Sequence, residues 1–111
     1  AIQLIIDNAC THQLVIGPPV QSEWKHKDLS KHNVTISTQG GSFNLGNGSN
    51  VLGDPRNALT WLVNELSENG INLMAGETVT TGTCTIPIAV QKGDIVKADF
   101  GILGAIQLSL C

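Results

Sequence analysis

The sequence predicts an α+β fold, in which a mixed, mainly antiparallel sheet curls into a β-roll or partial barrel and carries one long helix over about residues 55–69. Three observations lead to this prediction: one segment with helical periodicity and both ends marked, several short segments rich in β-branched residues, and frequent glycines between them. The chain has 111 residues with no internal repeat and no linker, so we expect a single domain over residues 1–111.

The helix is predicted from residues 50–70, which read NVLGDPRNALTWLVNELSENG. Asp54 suits the N-cap because its carboxylate accepts a hydrogen bond from a backbone N–H of the first turn, and Pro55 suits the first helical position. Gly70 suits the end of the helix because it adopts the left-handed conformation without steric cost. The apolar residues recur at helical spacing and form one stripe: Leu59, Leu62, Val63 and Leu66.

Trp61 lies outside this stripe, because at about 100° per residue its side chain points away from the centre of the apolar arc. One interpretation is that the ring covers the flank of the helix beneath a neighbouring loop. The other is that Trp61 belongs to a subunit interface, where tryptophan is enriched. The helix alone leaves both open. Half of a layered fold would expose apolar faces that another subunit must cover, so we predict an interface at Trp61.

Short strands separated by turns are predicted for most of the remaining chain. Residues 33–38 alternate around β-branched side chains, and residues 43–46 return after a glycine turn as a hairpin partner. A clearer hairpin joins residues 96–100 to residues 106–110, because both segments alternate apolar and polar side chains. Residues 18–32 are polar and are predicted as a loop with one turn of helix. Further strands are predicted at 13–17, 78–81 and 86–90.

Composition and charge argue against several classes of function. The formal net charge is -3 and charged residues make up 14% of the chain, which disfavours nucleic-acid binding because that needs a basic surface. No apolar run reaches the length of a membrane span, and the N-terminal stretch lacks the basic region that begins a signal peptide. The three cysteines are far apart and form no CxxC pair, which favours reduced thiols and a cytoplasmic protein.

Five motifs occur in an order and spacing that resemble a known family. They are DNAC at 7–10, VIG at 15–17, LGDPRNALTWL at 52–62, AGETVTTGT at 75–83 and GDIVKADFGILGAIQLSL at 93–110. Together they resemble the C-terminal part of the 2-keto-4-pentenoate hydratase and 4-oxalocrotonate decarboxylase family, within the fumarylacetoacetate hydrolase fold superfamily. The resemblance covers nearly the whole chain but only the last part of a family member, and it implies the C-terminal fold of that superfamily.

The resemblance also implies a chemistry that depends on a divalent metal. Enzymes of this family process vinylpyruvate-type 2-hydroxydienoates and 2-oxo acids with Mg²⁺ or Mn²⁺, which stabilises the developing enolate-like charge. The family's metal ligands come from an E-x-E pair and a further acidic residue, and its catalytic lysine also lies upstream of the matching region. This chain contains no E-x-E pair. We therefore predict no metal or other cofactor on its own, with Mg²⁺ or Mn²⁺ only if a partner chain supplies the carboxylates.

Two groups of residues match the family's substrate pocket. The first follows a DNA-Ser motif with cysteine in place of serine, and its catalytic candidates are Asp7, Asn8 and Cys10. The second resembles the Thr-Gly-Ser/Thr loop near the substrate carboxylate, and its ligand-binding candidates are Thr81, Gly82 and Thr83. A structural role stays open for both groups: a polar turn under the sheet for the first, and threonines chosen for strand propensity for the second.

The predicted function is that of a non-catalytic or cryptic hydratase-like module that self-associates, as a dimer or tetramer, and binds a small anionic, 2-oxo acid-like ligand. The missing E-x-E pair favours this prediction over catalysis by the chain alone. The alternative is the C-terminal part of a split Mg²⁺-dependent 2-hydroxypentadienoate hydratase or lyase, whose metal ligands arrive on a partner chain. Neither nucleic acid nor a membrane is expected as a partner.

Overall fold

One sheet and one α-helix make up the regular structure of residues 13–111, the range that the computed structural model describes. The strands are β1 (Asn33–Thr38), β2 (Phe43–Asn47), β3 (Ile95–Asp99) and β4 (Ala105–Ser109), and the helix is α1 (Pro55–Glu68). Short 3-10 helices occupy three connections, at Leu29–Lys31, Gly48–Asn50 and Gly101–Leu103. The strands lie in the spatial order β2-β1-β3-β4, and every neighbouring pair is antiparallel.

The predicted α+β class with one long helix is confirmed. Within the described residues the sheet is antiparallel throughout rather than mixed, and its outer strands β2 and β4 do not pair with each other, so it stays open. Both predicted hairpins form, as β1–β2 and β3–β4. The two hairpins become one sheet because β1 also pairs with β3. The loop predicted before β1 is confirmed as well, with the 3-10 turn Leu29–Lys31 as its one turn of helix.

Helix α1 ends one residue before the predicted boundary, and its caps explain both ends. The Asp54 carboxylate accepts a hydrogen bond from the Arg56 N–H at 2.8 Å, and Pro55 is the first helical residue. At the other end the Asn69 N–H bonds to carbonyls of the last turn, and Gly70 has a φ of +70°. Caps satisfy the backbone groups that a helix end leaves without partners. None of the helices in residues 13–111 has the length and apolar character that crossing a membrane requires.

Three predicted strands do not form in the described residues: 13–17, 78–81 and 86–90. β-Branched and apolar residues favour a strand only where a neighbouring strand offers packing and pairing partners. The nearest approach to a further strand is beside β2, where Gly46 and Thr85 form an isolated bridge. There the Asn44 side-chain amide donates to the Ile86 carbonyl at 2.8 Å. One bridge, one backbone bond from the Asn47 N–H to the Cys84 carbonyl, and side-chain bonds thus hold this edge in place of a regular ladder.

The described residues bury little apolar surface. The buried hydrophobic residues are Val34, Val51 and Val96. Helix α1 contributes no buried residue, and its stripe leaves Leu59 37% and Val63 43% exposed. The accessible surface is 8454 Å², whereas about 5,900 Å² is expected for a compact monomer of this mass. Residues 13–111 therefore cover the apolar stripe of α1 only in part.

Candidate functional site

Residues 81–85 lie against the connection between β2 and α1. The Cys84 carbonyl accepts hydrogen bonds from the Asn47 N–H at 3.1 Å and from the Asn50 side-chain amide at 2.8 Å. Gly82 lies beside the buried Val51, since a Cβ added at Gly82 would be 3.5 Å from Val51 Cγ1. These contacts fix the Thr-Gly-Thr segment close to the residues that lead into α1.

The Thr81-Gly82-Thr83 segment offers uncommitted hydrogen-bond donors. Gly82 has a φ of +118°, which residues with a side chain rarely adopt, so the turn requires glycine. Thr81 is half-buried and Thr83 is exposed. Among the described residues, the threonine hydroxyls that make hydrogen bonds are those of Thr38 and Thr60, so the hydroxyls of Thr81 and Thr83 have no partner within residues 13–111. Ligand binding by this segment stays a prediction.

Most carboxylates of the described residues bond to a backbone N–H in a local turn, and the other two, Glu65 and Glu68, lie on α1. Six acidic side chains accept a backbone N–H two or three residues away: Glu23, Asp28, Asp54, Glu77, Asp94 and Asp99. The Ser30 hydroxyl lowers the pKa of Asp28 by hydrogen bonding to its carboxylate, and the Gly101 N–H lowers the pKa of Asp99 in the same way. These acids therefore serve as caps spread along the chain, each in its own turn.

A divalent metal does not fit the described residues. Hard cations such as Mg²⁺ need several oxygen ligands around one point. Between residues 13 and 111, no three His, Cys, Asp or Glu side chains come together as such a group. Because the described acidic residues do not form such a group, a metal in this fold would need ligands from elsewhere. That the chain holds no cofactor on its own stays a prediction.

The other predicted site residues are not brought to this segment. Asp7, Asn8 and Cys10 lie outside the described residues, so their relation to Thr81–Thr83 is not defined. Trp61 lies on the outside of α1 and is 62% exposed. This exposure agrees with its position away from the apolar stripe, and the predicted interface at Trp61 stays a prediction.

A groove that was not predicted from the sequence lies between two turns. Its walls come from residues 17–22 and residues 100–106, are mostly apolar, and enclose about 590 Å³. The Ser22 hydroxyl joins the walls by donating to the Ile102 carbonyl at 2.9 Å. Both walls are recognisable in the sequence only as turns, Gly-Pro-Pro and Gly-Ile-Leu-Gly. Their meeting depends on contacts between segments about 80 residues apart.

Cys84 is expected to react more slowly with iodoacetamide than Cys111 near neutral pH. Burial raises the pKa of the Cys84 thiol, so a smaller fraction of it is the reactive thiolate. Cys111 is exposed. Timed alkylation followed by peptide mass spectrometry measures both rates in one sample. Equal rates would contradict the burial of Cys84 against the connection that precedes α1.

Comparison with known proteins identifies relatives of the chain. Residues 1–110 match the family described as fumarylacetoacetate (FAA) hydrolase C-terminal. A 2-keto-4-pentenoate hydratase of Paraburkholderia xenovorans (strain LB400) is 30% identical over 106 residues, which cover 96% of this chain and 39% of the relative. A 4-oxalocrotonate decarboxylase of Pseudomonas putida is also 30% identical, over 96% of this chain and 40% of its own length.

The fold of the chain is similar to that of solved structures of a 4-oxalocrotonate decarboxylase. The 4-oxalocrotonate decarboxylase from Pseudomonas putida G7, complexed with calcium and acetate, superimposes with a TM-score of 0.70 at 30% identity. The superposition covers 78% of this chain and 34% of the decarboxylase chain. The same enzyme complexed with magnesium and adipate has a TM-score of 0.70 as well. The chain therefore spans about two fifths of the length of the curated relatives it matches.

Proposed function

The chain belongs to the fumarylacetoacetate hydrolase C-terminal family, and we propose that it is a hydratase-like module that has no catalytic activity of its own, self-associates, and binds a small carboxylate ligand of the 2-oxo acid type. The chain matches the C-terminal portion of hydratases and decarboxylases. The proposal concerns what this portion does without the rest of such an enzyme.

The observation that carries the proposal is the distribution of acidic side chains. Catalysis of the family type depends on a metal that stabilises enolate-like charge, and within residues 13–111 no three His, Cys, Asp or Glu side chains lie together where they could hold an ion. The described residues match the scaffold of the fold, but among residues 13–111 no group of potential metal ligands comes together. The chain by itself is therefore expected to bind a ligand without transforming it.

Self-association is supported by the apolar surface that the chain leaves exposed. α1 presents half-exposed Leu59 and Val63 on one side and Trp61 on another, and no residue of the helix is buried. Apolar surface costs about 25 cal/mol for each Å² left in water, so covering it by another copy is favourable. An aromatic ring such as that of Trp61 contributes large contact area at low cost in conformational entropy.

Carboxylate binding is supported by the donors of the Thr-Gly-Thr segment. The hydroxyls of Thr81 and Thr83 have no partner among the described residues, and Gly82 brings its backbone close to the surface with no side chain in the way. Hydroxyls and backbone N–H groups donate well to carboxylate oxygens. The solved relatives hold acetate and adipate, which are both carboxylates.

A second candidate is the C-terminal part of a split Mg²⁺-dependent hydratase or lyase. It is favoured by the share of the relatives that the chain spans, 39% of the hydratase and 40% of the decarboxylase. In this case the metal ligands and the lysine would come from another polypeptide, which would also cover the apolar stripe of α1. The two candidates differ in whether the exposed apolar surface of the purified chain is covered by another copy of the same chain or by a different polypeptide.

Light scattering and an activity assay separate the two candidates. The purified chain is expected to have the mass of a dimer or larger assembly, unchanged by Mg²⁺, and not to hydrate 2-hydroxypenta-2,4-dienoate. Magnesium-dependent turnover by the chain alone would overturn the proposal. A monomeric mass would favour the split enzyme instead, because a second copy of the chain would then not cover the exposed apolar surface and a different polypeptide would be needed for it.

Adipate binding, followed by calorimetry, tests the ligand site. The change of Thr83 to valine keeps the shape of the side chain and removes its hydroxyl, so it is expected to weaken binding by about fivefold, the value of one hydrogen bond of about 1 kcal/mol. Thr80→Val is the matched control, because Thr80 is exposed in the same segment and lies outside the Thr-Gly-Thr turn. Equal affinity of both variants would remove Thr83 from the site.

A further inference from the structure

β4 is an outer strand of the sheet, and one of its two edges bonds to β3. The Phe100 N–H donates to the Gly104 carbonyl at 2.8 Å, and the Leu110 N–H donates to the Asp94 carbonyl at 2.8 Å. Antiparallel strands alternate between residues that bond to the neighbour and residues that bond away from it. Even-numbered residues of this segment therefore bond to β3, and odd-numbered ones point their backbone groups outward.

The outward groups belong to Ala105, Gln107 and Ser109. Within residues 13–111 their N–H and C=O groups have no backbone partner, because β4 pairs with β3 alone. The opposite edge of the sheet differs: beside β2, the Asn47 N–H donates to the Cys84 carbonyl and Gly46 forms a bridge with Thr85. The β4 edge is thus the part of the described sheet that is open to another strand.

This edge also lacks the features that prevent strand addition. Sheet edges are commonly protected by charged side chains, proline or bulges. The segment from Gly104 to Cys111 reads GAIQLSLC and contains neither a charged residue nor proline. β4 pairs with β3 in an unbroken register, so no bulge interrupts it. An uncharged strand with a free edge and alternating apolar residues is suited to pairing with another chain.

We propose that β4 pairs antiparallel with β4 of a second copy, in a two-fold register centred on Gln107; this inference deepens, and rests on, the self-association proposed above. In this register Gln107 faces its own equivalent and Ala105 faces Ser109. All three are outward-bonding residues, so each pair exchanges two hydrogen bonds. If the register slipped by one residue, each outward-bonding residue of one copy would lie opposite a residue of the other copy whose backbone already bonds to β3. If it slipped by two residues, one of the pairs of outward-bonding residues would be lost.

The side chains agree with the same register. Ile106 and Leu108 are half-buried on one face of β4, whereas Ala105, Gln107 and Ser109 are exposed on the other. Because directly opposite residues lie on the same face, Ile106 of one copy would lie opposite Leu108 of the other. The apolar face would therefore continue across the contact, and the exposed polar face would continue on the other side. A second copy matches both the backbone and the side-chain pattern of this edge.

Cross-linking with a single introduced cysteine tests the register. In the Cys111→Ser background, Gln107→Cys would place two cysteines opposite each other with Cα atoms about 5.5 Å apart, within the range that a disulfide spans. With oxidised glutathione, we expect a disulfide-linked dimer whose peptide map contains the 107–107 bond. Ala105→Cys is the matched control, because position 105 would lie about 14 Å from its equivalent, four residues along the strand. Equal cross-linking of both variants, or of neither, would overturn the register.

A charge introduced at the same position tests the contact without a covalent bond. Gln107→Lys would place two lysines directly opposite each other across the contact, and it is expected to lower the dimer affinity by up to about fivefold. The neighbouring Lys97 in the ladder adds less repulsion, because it is paired with Asp99 at 3.3 Å. Mixing Gln107→Lys with Gln107→Glu is expected to restore association. Gln39→Lys is the control, since it adds the same charge in the exposed turn between β1 and β2.

The possible outcomes distinguish this inference from the proposed function. If the unmodified chain is monomeric, self-association and the β4 contact both fail. If it assembles but Gln107→Lys leaves its mass unchanged, the β4 contact alone fails and association occurs elsewhere, for example through Trp61. An edge occupied by residues 1–12 of the same chain would also appear as an absence of the 107–107 disulfide.

Discussion

Replacing Gly48 with alanine is expected to destabilise the protein more than any other single methyl addition in the described residues. A Cβ at position 48 would overlap the Leu29 carbonyl oxygen, and Leu29 belongs to the 3-10 turn that precedes β1. The Gly48 N–H donates to the His32 carbonyl at 2.9 Å, which holds the two backbones together. Relief would require one backbone to move, so we expect a loss of about 3 kcal/mol in the free energy of unfolding, the upper part of the usual range for overpacking.

Chemical denaturation of the Gly48→Ala variant measures this effect, and Gly40→Ala is its control. Gly40 lies in the turn between β1 and β2, and the nearest atom to an added Cβ there is Thr38 Oγ1 at 3.8 Å, an ordinary contact. The control should therefore retain nearly all the stability of the unmodified chain. A Gly48→Ala variant as stable as Gly40→Ala would mean that the close approach of the two 3-10 turns does not exist in solution.

Replacing Val96 with alanine is expected to have the second largest effect, about 2 kcal/mol in the free energy of unfolding. Val96 is 8% exposed and lies in β3, which pairs with β1 on one side and β4 on the other. Loss of its methyl groups removes buried contacts and leaves a cavity at the centre of the sheet. The core contains few buried side chains, so neighbouring residues offer little compensation.

Val90→Ala is the matched control for this core substitution, because Val90 is 48% exposed and lies outside the regular elements. Its loss of stability should stay within about 0.5 kcal/mol, as is usual for exposed positions. Denaturant midpoints of the two variants, compared at the same slope, give the difference directly. If both variants lose the same stability, the sheet would not be the centre of the folded core.

The parts of the fold that the sequence predicted are those with local signals. Asp54, Pro55 and Gly70 mark the ends of α1 within the helix segment itself, and the structure places the caps there. Each hairpin joins strands that are close in the chain, so alternation and a glycine-containing turn were enough to identify both. Such signals need no knowledge of distant residues.

The strands predicted at 78–81 and 86–90 do not form, because a strand also depends on a partner strand, which local signals do not reveal. Their threonines, valine and isoleucines have high strand propensity, but propensity describes the fit to a neighbouring strand and does not supply one. In the structure the segment is held by single bonds, including the Asn44 amide to the Ile86 carbonyl at 2.8 Å. The candidate site at Thr81–Thr83 was identified from its resemblance to a family motif. The structure adds the positive φ of Gly82 and two threonine hydroxyls that have no partner within residues 13–111.

The sequence by itself determined the family, the helix with its caps, the two hairpins and the absence of an E-x-E pair, because each follows from short motifs or their order along the chain and requires no contact between distant segments. Only the tertiary structure decided whether acidic residues lie close enough together to hold a metal ion. Within residues 13–111 no three His, Cys, Asp or Glu side chains do. Within this range the tertiary structure also decided that β1 joins the hairpins, that β4 has no strand on its outer edge and that α1 has no buried residue. These features depend on which distant segments meet, and burial and pairing between distant segments are set by the whole chain rather than by local preference.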